Sequence, residues 1–386
     1  MRLWNTETRS LQPLLVSDRP LGVYVCGITP YDTTHLGHAF TYITFDVLIR
    51  SLRASGIAVR YVQNVTDVDD DIMKRSRELG TTWDRLAASE TALYQADMAA
   101  LNVTPPDVFP RASGTIGRII ELVSRLVARG HAYVREGNVY FRVSSVTDYG
   151  RLSRLPRDEM VRLSAERGAD PEDPRKQDPL DFLLWQVSAP DEPRWESPFS
   201  AGRPGWHIEC SAMALEHLGE QVAIHGGGAD LVYPHHESEI AQSESVTGVR
   251  PFARTWMHVG MLRYQGAKMS KSLRNLVLVR DLLPRFDADA IRVTLLRHHY
   301  REPWEYTESE MVAAHDWVRS MREKTARSAG EAVDGDAATV LRALEDDLDT
   351  RAALRALSLL IDEGDPGWRA GADLLGLRLT AATGRK

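Results

Sequence analysis

The chain has 386 residues, is 43% hydrophobic and 26% charged, and carries a formal net charge of −7. This is the composition of an ordinary globular protein, long enough for one large domain and a smaller one. The acidic balance argues against a generally basic, nucleic-acid-gripping surface, although a local basic patch is compatible with it. No apolar run approaches the roughly 20 residues that span a bilayer. Residues 1–10 are polar and show no signal-peptide pattern, so a cytoplasmic protein without membrane contact is expected.

In chain order, residues 21–26 (LGVYVC) form a short apolar run stopping at Gly27, the pattern of a buried strand. A loop with Pro30 follows. Leu36–Ala54 has apolar residues at helical spacing, and Gly56 stops it. Residues 57–64 (IAVRYVQN) suggest a second strand. This β–α–β start favours a parallel sheet with a right-handed crossover, hence an α/β fold. Helices are expected over 83–101 and 114–129. The stretch 144–204 is rich in Pro, Arg and Asp, and about 95–205 is expected to be an insertion in the nucleotide-binding fold. Strands are expected at 222–225 and 255–261, and a helix at 288–297. From Tyr306 the pattern is helical with acidic breaks. The expected division is a catalytic domain, 1–305, and a C-terminal helical domain, 306–386.

Two stretches carry phosphate chemistry. His35-Leu36-Gly37-His38 lies at the start of the first helix, where backbone N–H groups form an anion site. Two imidazoles one turn apart can contact ATP phosphates, and the glycine admits the nucleotide closely. Chance alone also produces such a four-residue match. Lys268-Met269-Ser270-Lys271-Ser272 follows Gly266. Its two lysines can clamp a triphosphate and offset charge developing at the α-phosphate; the plain alternative is a solvated basic loop. Both stretches, in this order after a β–α–β start, point to one nucleotide site.

The only cysteines, Cys26 and Cys210, lie far apart in sequence. A disulfide is not expected in a cytoplasmic enzyme, and two inert buried thiols are the plain alternative. Their contexts argue otherwise. Cys26 opens CGITPYD, Cys210 lies in GWHIECSAM, and PHHESE follows at 234–239. Two thiolates and one imidazole, with or without one carboxylate, make a tetrahedral zinc set. His235 and Glu239, four apart, share a face if helical. Zinc can bind a substrate thiolate directly, and serine's hydroxyl substitutes poorly for it. That would separate two amino acids of nearly equal shape.

HLGH and KMSKS resemble the HIGH and KMSKS motifs of class I aminoacyl-tRNA synthetases. The whole set resembles cysteinyl-tRNA synthetases and their relatives, the cysteine ligases of mycothiol biosynthesis, over about residues 1–305. The resemblance implies a Rossmann-like parallel sheet with an insertion and a small C-terminal helical domain. It implies one zinc ion per chain on Cys26, Cys210 and His235, with Glu239 as a fourth ligand. It assigns Cys26, Gly27, Ile28, Thr29, Thr41, Asn64, Val65, Thr66, Trp206, His225, Gly228, Ala229, Asp230 and Leu262 to the substrate and cysteinyl-adenylate. His35, His38, Lys268 and Lys271 become the catalytic residues, with L-cysteine and ATP, as its Mg²⁺ complex, as substrates. A monomer is expected.

The acceptor is the open point. CGITPYD, HLGHAFTY, YVQNVTDVDD and NLVLV look like the mycothiol ligases, and ERGADP (166–171) differs by one residue from their ERGGDP. The 80 residues after Tyr306 are few for a shared helical domain plus an anticodon reader, and 331–386 shows no basic cluster. Toward the tRNA enzymes point Glu239, the HIECSAM stretch and the lack of the usual N-terminal extension of mycothiol ligases. The expected acceptor is the amine of glucosaminyl-inositol, with tRNA(Cys) as the alternative. A silent relative that only binds cysteine or nucleotide is a further reading, opposed by the intact histidines and lysines.

Overall fold

The computed structural model describes residues 1–16, 19–31, 34–269, 275–327 and 336–379. A hairpin of β1 (Arg2–Asn5) and β2 (Ser10–Pro13) precedes β3 (Leu21–Ile28), α1 (Leu36–Ala54) and β4 (Val59–Val65). Next come α2 (Asp70–Leu79), α3 (Trp83–Ala100) and α4 (Ile116–Ala128). Then follow β5 (Ala132–Arg135), β6 (Asn138–Phe141), α5 (Arg157–Glu166), β7 (Phe182–Val187) and β8 (Gly202–Pro204). The chain returns through α6 (Trp206–Leu218), β9 (Val222–Gly228), α7 (Glu237–Thr247) and β10 (Ala253–Val259). Three short strands, β11 (Leu262–Tyr264), β12 (Ala267–Lys268) and β13 (Trp304–Glu305), pair with one another. The helices α8 (Val279–Leu282), α9 (Ala288–Leu296), α10 (Glu308–Arg327), α11 (Ala338–Glu345), α12 (Thr350–Asp362) and α13 (Trp368–Leu374) complete the described chain.

The central sheet has the order β10-β9-β3-β4, and all its pairings are parallel. Its strands are buried, as expected when helices cover both faces. α1 is the crossover from β3 to β4, and it lies between the sheet and the C-terminal helices. Polar residues inside this buried helix are satisfied locally: Thr44 Oγ1 donates to Phe40 O at 2.8 Å and Ser51 Oγ to Val47 O at 2.7 Å. Phe45 and Leu48 share one core with Met311, Val318 and Leu357. A second core joins α4 and α6 to the antiparallel sheet β5-β6-β7-β8.

That second sheet, the β1–β2 hairpin, α2 and α6 do not emerge from apolar periodicity. β5 and β6 have four residues each, and Glu136 and Gly137 between them both take positive φ, 51° and 79°. A two-residue turn of this kind makes the hairpin, but strands this short give almost no alternation to read. No helix among the described residues is long and apolar enough to cross a membrane.

Candidate active site and metal centre

The parallel strands end on one edge, and the elements leaving that edge build the site. Cys26 lies near the end of β3 and Cys210 on α6, with neither in a disulfide. His235 lies in the turn Val232–His236, which runs into α7, the helix of Glu239. Ligand atoms of Cys26, Cys210, His235 and Glu239 all lie within 4.8 Å of one another, and all four residues are buried. His235 Nε2 is 3.2 Å from Glu239 Oε1, so the i,i+4 pair meets as its spacing implied.

Two thiols, an imidazole and a carboxylate are a donor set suited to a tetrahedral divalent ion. Glu239 Oε2 is buried without a hydrogen bond among the described residues, 3.4 Å from His225 Nε2. Burial pushes the Cys26 thiol well up, and neighbouring Cys210 and Glu239 add to the rise. Burial also lifts Glu239 and drives His235 down, His207 and His225 adding to that fall. Burial thus favours the neutral forms of Cys26, His235 and Glu239; a divalent cation among them would reverse the balance for the Cys26 thiol and the carboxylate.

A second layer of histidines surrounds the donors; sequence reading gives none of them a role in it and assigns His225 to the adenylate. His207 Nδ1 is 2.9 Å from His235 Nδ1, fixing that ring with Nε2 toward Glu239. Trp206 stacks on His235 at 4.2 Å. His236 Nε2 lies 3.2 Å from Cys26 Sγ, and its Nδ1 2.7 Å from His258 Nε2. His225, assigned by resemblance to the adenylate, is fully buried in this layer, and with Cys26, His236 and Glu239 it forms an overlapping donor group. The extra histidines in HIEC, PHH and WMH were visible as residues; only the fold shows that they converge.

Other predicted positions lie along the same edge. The Gly27 amide donates to Asn64 Oδ1 at 2.8 Å, and Asn64 Nδ2 to Thr66 Oγ1 at 3.1 Å. A Cβ on Gly27 would fall 1.6 Å from Asn64 O, so only glycine lets the ends of β3 and β4 lie this close. The Thr66 amide bonds Ile28 O, and Val65 pairs with Ile28. Thr29 O accepts from the Tyr31 amide, and Thr41 Oγ1 donates to Gly37 O at 3.3 Å. β9 delivers Gly228, with Ala229 and Asp230 in the turn beyond it, where Arg167 Nη2 is 3.6 Å from Asp230. Leu262, buried, pairs with Trp304 in the small sheet.

His35 caps α1, its Nδ1 accepting from the Gly37 amide at 3.0 Å, and its ring stacks on His38 at 3.8 Å. The Leu36 amide bonds Val277 O at 2.9 Å and the Val279 amide bonds Thr34 O at 3.0 Å. The stretch just after KMSKS is therefore stitched to HLGH by backbone. The backbone of Lys268 lies in β12, paired with Arg263; Lys271 lies outside the described residues.

A family model described as the catalytic domain of class I (C) tRNA synthetases matches residues 14–316. A protein of Acidothermus cellulolyticus named L-cysteine:1D-myo-inositol 2-amino-2-deoxy-alpha-D-glucopyranoside ligase is 48% identical over 362 residues, covering 94% of this chain and 88% of the relative. A cysteine--tRNA ligase of Dehalococcoides mccartyi is 46% identical over 329 residues, 85% of this chain and 71% of its own. Among solved structures, the methionyl-tRNA synthetase of Mycobacterium tuberculosis in complex with methionyl-adenylate superposes with a TM-score of 0.66 at 19% identity, over 89% of this chain and 82% of that one. The parallel sheet and the site at its edge define a class I synthetase fold. Within that class, the chain belongs to the class I (C) tRNA-synthetase family and is an ATP-dependent ligase.

Proposed function

We propose that this chain activates L-cysteine with ATP to cysteinyl-adenylate and ligates it to the amine of glucosaminyl-inositol. The observation that carries the reading is the four-donor cluster of Cys26, Cys210, His235 and Glu239 at the sheet edge that also bears HLGH. The name of the 48%-identical relative supports this acceptor. The reading takes residues 1–305 as the catalytic domain, with an insertion at about 95–205, and 306–386 as a helical domain; it takes the protein as cytoplasmic and monomeric.

In the first step the cysteine carboxylate attacks the α-phosphorus of ATP, carried with Mg²⁺, and pyrophosphate leaves. A carboxylate is already nucleophilic, so the step relies on positioning and charge stabilisation. His35 and His38 contact the phosphates, and Lys268 and Lys271 neutralise the departing pyrophosphate. The close pair Gly27 and Asn64, with Thr29, Thr41, Thr66, Trp206 and Gly228–Asp230, lines the adenylate site. Cys26, Cys210, His235 and Glu239 would hold zinc, which when bound supplies a Lewis-acid partner for the substrate thiolate.

Transfer to tRNA(Cys) is the second reading. It is favoured by the 46%-identical relative and by one structural observation. Arg297, Arg351 and Arg355 line one cavity of about 380 Å³ beside Trp317, a basic group that no contiguous stretch of sequence displays. The deciding experiment offers purified protein both glucosaminyl-inositol and tRNA(Cys) with cysteine and ATP. Cysteinylation of the amino sugar, insensitive to moderate salt, is expected. Efficient, salt-sensitive charging of tRNA(Cys) with no amino-sugar product reverses the order.

A further inference from the structure

The NVTDVDD stretch leaves β4 at the active edge, and the first step uses only its opening residues. Its aspartates have different fates. Asp67 accepts from the Ser113 amide at 2.8 Å and from Ser113 Oγ at 2.6 Å. Asp70 is paired with Arg203 at 2.5 Å. Asp69 caps α2, accepting the Asp71 amide at 2.8 Å, and it is half-buried rather than sealed. A second, independent feature faces this group. Glu209 on α6, directly before Cys210, is fully buried, and neither of its carboxylate oxygens has a hydrogen-bond partner among the described residues. Cys210, Asp69 and Asp67 are its electrostatic neighbours. The Asp70–Arg203 pair ties this stretch to β8, which leads into α6, the helix of the unpartnered Glu209 and of the donor Cys210.

We infer that Asp69 is the general base of the second step, taking the proton from the acceptor's amine. The inference rests on the amino-sugar reading above. An amine arrives as an ammonium ion and cannot attack until it loses a proton. The Asp69 carboxylate accepts that proton, the nitrogen lone pair forms the amide bond to the cysteinyl carbonyl carbon, and the carbonyl–phosphate C–O bond breaks. AMP departs with the bonding electrons, and the amide nitrogen's second proton goes to solvent. An ordinary carboxylate is a weak base for this task. Burial lifts the Asp69 carboxyl to about 6; the Asp71 amide and Arg203 oppose the rise, while the charges of Asp71 and Asp70 add to it. Glu209 and Tyr31 are also within its electrostatic reach.

Asparagine caps a helix as well as aspartate does, so Asp69→Asn removes the base and keeps the cap. The experiment preforms cysteinyl-adenylate on the enzyme and follows single-turnover transfer to glucosaminyl-inositol between pH 5 and 8, with cysteine-dependent ATP–pyrophosphate exchange as the internal reference. Transfer in Asp69→Asn is expected to fall by about 10²–10⁴-fold, far more than exchange, and the rise of the rate through about pH 6 should vanish. Asp69→Ala should lose transfer to the same extent. A capping role alone predicts that Asp69→Asn transfers like the native chain while Asp69→Ala does not; that result overturns the inference and leaves the acceptor reading standing. Equal losses in exchange and transfer also overturn it, by assigning Asp69 to folding or activation. Adenylate formation by the native chain with no transfer to the amino sugar overturns the acceptor reading itself, and this inference with it.

Discussion

Two buried polar groups in this molecule invite comparison. In the first, Arg292 on α9 and Asp46 on α1 are both fully buried and meet at 2.6 Å. Arg292 also donates to Leu375 O and Leu101 O, and Asp46 also receives Arg50 and the Thr104 amide. Burial opposes charge on Asp46, but the Arg292 and Arg50 guanidiniums hold its carboxyl below the usual range. The second group is the Cys26–Cys210–His235–Glu239 cluster, just as buried but incomplete. Glu239 Oε2 and His225 Nδ1 have no hydrogen bond among the described residues, and the Cys26 thiol, the Glu239 carboxyl and the His235 imidazole are all pushed toward neutrality. A finished polar group is a structural tie. An unfinished one, lined with soft donors, is a place for a ligand.

The comparison breaks if the two groups respond alike. Asp46→Ala strands a buried guanidinium and should cost about 3–5 kcal/mol in chemical denaturation, without changing metal content per folded chain. A loss below about 1 kcal/mol would show that Arg292 finds other partners. Lys271→Ala should slow cysteine-dependent ATP–pyrophosphate exchange by about 10²–10³-fold with stability unchanged, because its charge acts in the transition state; a normal rate would return it to the solvated surface. His207→Gln, which loosens the ring of His235, should weaken metal binding by about 10–100-fold in chelator competition. Unchanged affinity would reduce His207 to packing.

The smallest effect concerns acid. Burial drives the His258 imidazole down to about 3, against about 6.5 when unfolded. Between these values the unfolded chain binds the extra proton, so this histidine's contribution is intact above about pH 6.5. It is lost at up to about 1.4 kcal/mol per pH unit as pH falls toward 3. His258→Gln should flatten the fall in stability between pH 7 and pH 5; an equal slope in both proteins would remove His258 as a source.

Much of the fold was legible because its signals are local. Leu36–Ala54 is helical over the expected range, since its apolar spacing and the stop at Gly56 are both strong. β3 runs on to Ile28, past the expected end at Cys26, because Gly27 lets the chain continue against Asn64. β5 and β6 were too short to betray themselves. The four donors stood out because cysteine is scarce and the HHESE spacing is helical. The histidine layer did not: the resemblance singles out His225 for the adenylate rather than for this layer, and His207 and His258 come from separate elements that meet it only in the fold. The arginine cavity escaped for the same reason: Arg297 is 54 residues from Arg351.

The central claim is that the buried donor cluster selects a thiol substrate through a metal. The most direct test is ATP–pyrophosphate exchange with cysteine and with serine as alternative substrates, on protein whose zinc content has been measured at one per chain. The account predicts that cysteine is preferred by far more than the roughly 10–200-fold that a difference of one methylene provides, and that Cys210→Ala loses both the zinc and the exchange. A preference within that modest range, or full exchange in Cys210→Ala, would contradict it.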